Sequence, residues 1–222
     1  ATSSSMRSAI HPFSALPDAA GWPAPDPSCT SLQPTRTHAW MTARAGIVQP
    51  ASVVLFAIED GNTITALAPV IPQAGWLLEL PRMFEPSDLV WSTPESLHAL
   101  TEMLARQPLP LHLERVPQDS PTISALRRAF RWRGIVLTRE AMPTPVIDLT
   151  GHGNDPDACL TPRRRSDLRR AERRARQLGE VCYELHAPRT ESELATLMQE
   201  AMSVEARSWK EEAGTALTAD RT

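Results

Sequence analysis

SVVLFAIEDGNTITALAPVI, residues 52–71, decides the architecture of the first part of the chain. Two apolar, β-branched runs, 52–59 and 63–71, flank Glu59-Asp60-Gly61-Asn62. An Asp-Gly pair supplies the positive φ angles that a tight turn requires, so the stretch predicts a β-hairpin. A third strand is expected over 75–80, through Trp76, Leu77, Leu78 and Leu80.

Before the hairpin, a short helix carrying Trp40 is expected to start near Thr37. After it come two helices with clear start signals. Thr93 can cap a helix with Pro94 in its first position, and Leu97, Leu100 and Leu104 form one apolar stripe. Ser120 and Pro121 repeat the arrangement, with Ile123, Leu126 and Phe130 as the stripe and Gly134 as the stop. Short strands are expected over 109–113, 135–138 and 146–149. This order predicts an α/β or α+β domain with a mixed sheet.

Residues 1–36 are rich in Ser, Ala and Pro, including Pro12, Pro17, Pro23, Pro25, Pro27 and Pro34. Proline fixes φ and removes backbone donors, so this stretch reads as a loosely ordered arm. Gly151, Gly153, Asn154 and Pro156 mark a second boundary, beyond which the composition turns to arginine. The chain thus divides into an arm (1–36), a first domain (37–150) and a second region (151–222).

Composition narrows the function classes. A hydrophobic fraction of 41% and a charged fraction of 22% are ordinary for a globular protein. The formal net charge of -3 provides no overall pull toward nucleic acid or membrane, so any basic function must be local. Cys29, Cys159 and Cys182 are odd in number and far apart, which reads as free thiols in a reducing cytoplasm. The histidines are scattered without ligand spacing, so no metal site is expected. No transmembrane segment is expected either. The longest apolar run, 53–58, has strand length, far from the roughly 18 residues of a membrane span.

Two helices in the second region carry the chemistry. The first is expected over 162–178, with Thr161 as cap and Gly179 as stop. Arg163, Arg164, Arg165, Arg169, Arg170, Arg173, Arg174 and Arg176 stand against only Asp167 and Glu172. Each like-charge pair four residues apart costs roughly 0.2–0.5 kcal/mol. Arg163, Arg164 and Arg165 also occupy the first turn, where the helix dipole is already positive. A bound anion would relieve both strains; the alternative is a solvated basic face whose arginine stems cover their neighbours.

The second helix is expected over 191–212, with Thr190 and Glu193 as a capping box. Leu194, Leu197, Met198, Ala201 and Val204 fall on one face, with Glu205 in its middle and Trp209 at its edge. A carboxylate there needs a partner or a raised pKa, which makes Glu205 a site candidate. Alternatively the last turn projects past the core, leaving Glu205 hydrated or paired with an arginine.

PRRRSDLRRAERRARQLGEVCYEL (162–185) and EARSWKEEAGTALTAD (205–220) together resemble the CelD-like branch of the GNAT acyltransferases. That branch is described as acting in cellulose or exopolysaccharide biosynthesis and is related to the FemAB enzymes. Arg169-Arg170 and Leu178-Gly179-Glu180-Val181 match its arginine helix, which is followed by a strand. Glu205, Trp209, Lys210, Gly214 and Thr215 match its tryptophan-basic-glycine element. Trp40, the Asp60-Gly61 turn, Asp119-Ser120-Pro121 and 145–149 resemble its degenerate first domain.

The resemblance implies tandem GNAT-like domains with mixed sheets and a cytoplasmic N-acyltransferase. Such an enzyme moves an acyl group from acyl-CoA, the donor substrate, to a small-molecule or saccharide amine acceptor. It implies Glu205 as an acceptor-side carboxylate and Trp209 and Lys210 as acceptor-binding groups. Arg163, Arg164 and Arg165, with Arg169 and Arg173, would meet an anionic group. In GNAT domains the acyl-CoA pyrophosphate sits on a Gly-rich turn that opens a helix after a long strand. None follows Trp209 before Thr222, so the second domain is expected to be incomplete and the chain inactive alone. Two other functions remain open: a polyanion-binding module built on the arginine helix, and a non-catalytic GNAT-like scaffold.

Overall fold

A computed structural model describes residues 6–15, 21–24, 34–47, 52–79, 85–143 and 156–214. The chain divides into two compact units, Ala1–Val146 and Ile147–Thr222. The expected strands and turns at 145–155 lie outside the described residues, as does Thr215.

The first unit is a mixed α/β structure. The hairpin forms as expected: β2 (Val54–Asp60) and β3 (Thr63–Gln73) pair antiparallel, with Asp60 opposite Thr63. Gly61 closes the turn at φ 62°, a conformation that costs a Cβ-bearing residue about 1 kcal/mol or more. A second tight turn through Ala74 and Gly75, both at positive φ, leads into β4 (Trp76–Glu79).

Both faces of this hairpin are covered, which explains why 53–58 reads as an unbroken apolar run rather than an alternation. Phe56, Ile58, Ala66, Ala68 and Val70 face α2 (Pro94–Ala105), meeting Leu97, Leu100 and Leu104. Val53 and Leu67 on the opposite face join Met41 and Ala45 of α1 (His38–Ile47).

The sheet runs β1-β2-β3-β4-β6. Its first strand, β1 (Met6–Pro12), corrects the reading of 1–36 as a loosely ordered arm: it pairs antiparallel with β2 along its whole length. Proline is tolerated because Pro12 stands at the last position of an edge strand. At the other edge, β6 (Leu111–His112) is a shortened form of the strand expected over 109–113 and runs parallel to β4. A further two-residue strand, β5 (Val90–Trp91), pairs with β3.

Where β2 and β3 shift register after Ile58, the displaced Thr65 turns its carbonyl toward α2. That oxygen accepts from Ser92 N, Ser92 Oγ and Ser96 Oγ at 2.9–3.1 Å. Thr93 and Ser96 close the helix start with a reciprocal capping box.

α3 (Pro121–Ala129) packs on α2, with Ser120 as its cap. Its buried face is Thr122, Ala125, Leu126 and Ala129. That face is turned from the expected stripe, and Ile123 and Phe130 are only half-buried. The strand expected over 135–138 does not form; those residues carry no regular secondary structure.

In the second unit α4 (Pro162–Leu178) matches the expected bounds, with Thr161 as N-cap and Gly179 as C-cap. Gly179 ends it with extended backbone at φ 166° rather than a left-handed turn. The strand that the family pattern places after 178–181 is absent, and 180–189 carry no regular structure. The helix expected over 191–212 is two helices, α5 (Glu191–Glu205) and α6 (Trp209–Glu212). Neither α4 nor α5 buries a residue.

Candidate functional site

The second unit holds every site residue expected from the sequence. α4 starts where Thr161 Oγ1 accepts the Arg164 amide at 3.3 Å and the Thr161 carbonyl accepts Arg165 N at 3.0 Å. Asp167 pairs with Arg170, and Glu172 pairs with Arg176 at 2.9 Å. The Glu172 bond holds the Arg176 guanidinium above its ordinary pKa. Arg163, Arg164, Arg165, Arg169, Arg173 and Arg174 have no ion pair among the described residues. Arg165, Arg169 and Arg173 stand four residues apart, so they form a ladder with a rise of about 6 Å per step.

Thr190 caps α5 by accepting the Glu193 amide at 3.2 Å. Glu193 reaches back to the Arg189 amide at 2.7 Å, one residue beyond the expected box. At the other end the chain turns through 206–208, and Ser208 joins the two helices. Its hydroxyl donates to the Glu205 carbonyl at 2.7 Å and accepts the Lys210 amide at 3.3 Å.

This break makes the site. In a continuous helix, side chains five apart point about 140° away from each other and do not meet. The turn instead folds Lys210 Nζ onto Glu205 Oε1 as an ion pair. The Glu205 side chain is only 16% exposed. Lys210 of the same motif is thus a partner of Glu205. Trp209 is 70% exposed. Glu205 and Lys210 are thus brought together, with Trp209 next to the lysine in the chain. Arg163, Arg164, Arg165, Arg169 and Arg173 form no bond to that group.

One cluster had no signal in the sequence. Asp88, buried in the first unit, accepts the hydroxyls of Ser120 and Thr122 at 2.6 Å each and the Leu89 amide at 2.8 Å. Desolvation raises its pKa, opposed by these hydrogen bonds and by Arg36. Arg36 is itself buried; it donates to the Trp91 carbonyl at 3.0 Å and lies 4.9 Å from the Trp91 ring centroid. Arg44 donates to Ser87 Oγ at 3.2 Å. These residues come from four separate stretches, so no local spacing announces them. The bonds to Ser120 and Thr122 join the Asp88 segment to the start of α3, as a structural tether does.

Acyl-CoA needs amides at a helix start after a strand and a Gly-rich turn. α2 follows β5, but residues 80–93 between β4 and the helix contain no glycine, and the helix start is closed by Thr93, Pro94 and Ser96. None of the described helix starts fits that donor group. No set of three or more His, Cys, Asp or Glu among the described residues is arranged to hold a metal. None of the described helices is long and apolar enough to cross a membrane. Cys159 and Cys182 are exposed and form no disulfide. In comparisons with models of protein families, with curated proteins and with solved structures, nothing matches this chain.

Proposed function

We propose that this chain supplies the acceptor side of a cytoplasmic N-acyltransferase of the GNAT type, in its CelD-like branch. The observation that carries the reading is the Glu205–Lys210 pair beside an exposed Trp209. Glu205 already holds one ammonium group, and an amine acceptor would present another of the same chemistry. Trp209 offers a flat apolar wall against which a sugar or aliphatic acceptor would rest.

The order of the first unit also supports the reading. A meander of antiparallel strands leads through α2 to a parallel strand, as in a GNAT-like sheet, while its helix start is closed against phosphate. That combination is what a degenerate first domain requires.

In the reaction, a neutral amine attacks the thioester carbonyl, forming the C–N bond as the C–S bond breaks and the thiolate leaves. Glu205 would hold the acceptor ammonium before the proton departs to solvent. The unpaired arginines at Arg163, Arg164 and Arg165 would position an anionic group on one of the substrates.

The test is thiol release from acetyl-CoA by the whole product of the reading frame that contains these residues, supplied with amino sugars. Glu205→Gln is expected to slow release by about 10–100-fold, because it removes a charge-assisted bond to the acceptor ammonium worth about 1.5–3 kcal/mol. An unchanged rate removes Glu205 from the site, and release no faster than in buffer removes the acyltransferase reading.

The six unpaired arginines of α4 favour a second reading, a polyanion-binding surface. Affinity for heparin that falls steeply with salt and ignores acetyl-CoA would support it.

A further inference from the structure

Around and beyond the end of α3, arginines and large apolar side chains are exposed along one segment of the chain. Trp132, Ile135 and Leu137 are 85%, 84% and 89% exposed, and Met142 is exposed as well. Residues 127–140 contain Arg127, Arg128, Arg131, Arg133 and Arg139 against the single acid Glu140.

This exposed segment is held by specific bonds. Arg133 N and Gly134 N both donate to the Phe130 carbonyl at 2.9 Å, which closes the helix end. The Arg133 guanidinium reaches Glu102 of α2 at 3.1 Å. Arg127 reaches Thr138 Oγ1 at 3.1 Å, fastening the following stretch to α3. Between these ties Val136 is half-buried while Ile135 and Leu137 are exposed. Arg131 stands 5.0 Å from the Trp132 ring centroid. Arg128, Arg131 and Arg139 have no carboxylate partner among the described residues.

We infer that this surface docks on an anionic lipid bilayer. The charge is complementary: five arginines stand against two acids, Glu140 and the Glu102 that pairs with Arg133, in a chain whose total charge is -3, so the attraction is local. The apolar groups select the bilayer over a nucleic acid. Stacked bases need aromatic platforms, and this patch offers one tryptophan beside three aliphatic or thioether side chains. Isoleucine, leucine and methionine enter the boundary between headgroups and acyl chains, while tryptophan and arginine settle at headgroup depth. The two components add, since interfacial binding scales with the apolar area buried plus the attraction of basic groups to anionic headgroups.

The test is co-sedimentation of the 222-residue chain with vesicles of phosphatidylcholine, alone or mixed with phosphatidylserine. Binding to the mixed vesicles and none to phosphatidylcholine alone is expected. The pair Arg128→Gln and Arg131→Gln should weaken it by about fivefold per arginine. The pair Ile135→Ser and Leu137→Ser should abolish binding and leave the melting temperature unchanged, because both side chains are already in water. Tryptophan emission should shift to the blue with mixed vesicles, and the shift should vanish in Trp132→Phe. Equal binding to both vesicle types, or retained binding by the serine pair, overturns the inference. So does preferential capture of a single-stranded oligonucleotide, or a lipid-free dimer that the serine pair dissociates.

Discussion

Asp88 and Thr122 lie 34 residues apart, and the threonine hydroxyl donates to the Asp88 carboxylate at 2.6 Å. The same carboxylate takes Ser120 Oγ, so one acid ties the start of α3 to the segment that enters β5. Thr122→Val preserves shape and removes the donor. It is expected to cost about 1–3 kcal/mol, the penalty for a buried acceptor left short of a partner. Asp88→Ala also takes a countercharge from buried Arg36, and the expected loss is about 3–5 kcal/mol. Urea unfolding checks both, and a Thr122→Val chain as stable as its parent would show that the bond contributes nothing.

The acid limb of stability should carry two opposite contributions. Hydrogen bonds from Arg7 and then His11 hold the Glu59 carboxyl below its ordinary value of 4.5. The stability it provides is present above that value and is lost as the pH falls through its lower folded pKa. Burial instead raises Asp88 above its ordinary 3.8, so its contribution is complete below 3.8 and is lost as the pH rises through its folded pKa. Denaturant unfolding across the acid range is expected to show a shallower acid-side loss in Glu59→Gln. In Asp88→Asn the loss on rising pH should disappear. Profiles parallel to the parent's in both variants would refute the pair of shifts.

Two glycines separate conformational need from mere presence in a turn. A Cβ on Gly61 would meet nothing within 4 Å, yet its φ is 62°. Gly61→Ala should therefore cost about 1 kcal/mol through backbone strain alone. Gly179 also has open space, but its backbone is extended, which any residue adopts. Gly179→Ala should be neutral or slightly stabilising. Thermal unfolding of the two variants side by side tests the contrast.

The hairpin was legible because its signal is local: Asp60-Gly61 sets the turn, and the flanking runs are long enough to stand out. α4 was legible to the residue because Thr161, Pro162 and Gly179 are themselves its caps. β1 was not, since its strand character comes from pairing with β2 some fifty residues away, and its surroundings are rich in proline. β5 is two residues long and exists only through β3. The break before Trp209 escaped periodicity because Ala206 and Arg207 are good helix formers; the Ser208 hydroxyl decides it by capping α6. Glu205 could be singled out by its place on an apolar face, but its partner depended on that break.

Arg169 offers a test that sets α4 stability against ligand binding. It stands four residues from Arg165 and from Arg173, and among the described residues none of the three has an ion-pair partner. Arg169→Glu replaces two repulsions with two attractions, each change worth a few tenths of a kcal/mol, so a gain of about 1 kcal/mol in α4 is expected. Circular dichroism should register more helix, and the gain should shrink as salt screens the charges. If the arginine ladder binds anions, the same substitution should weaken heparin binding and make it less sensitive to salt. A helix that gains order while heparin affinity stays unchanged would assign the ladder to a solvated face. Gain and loss together would mean that α4 retains its arginines at the expense of its own stability, in order to hold an anion.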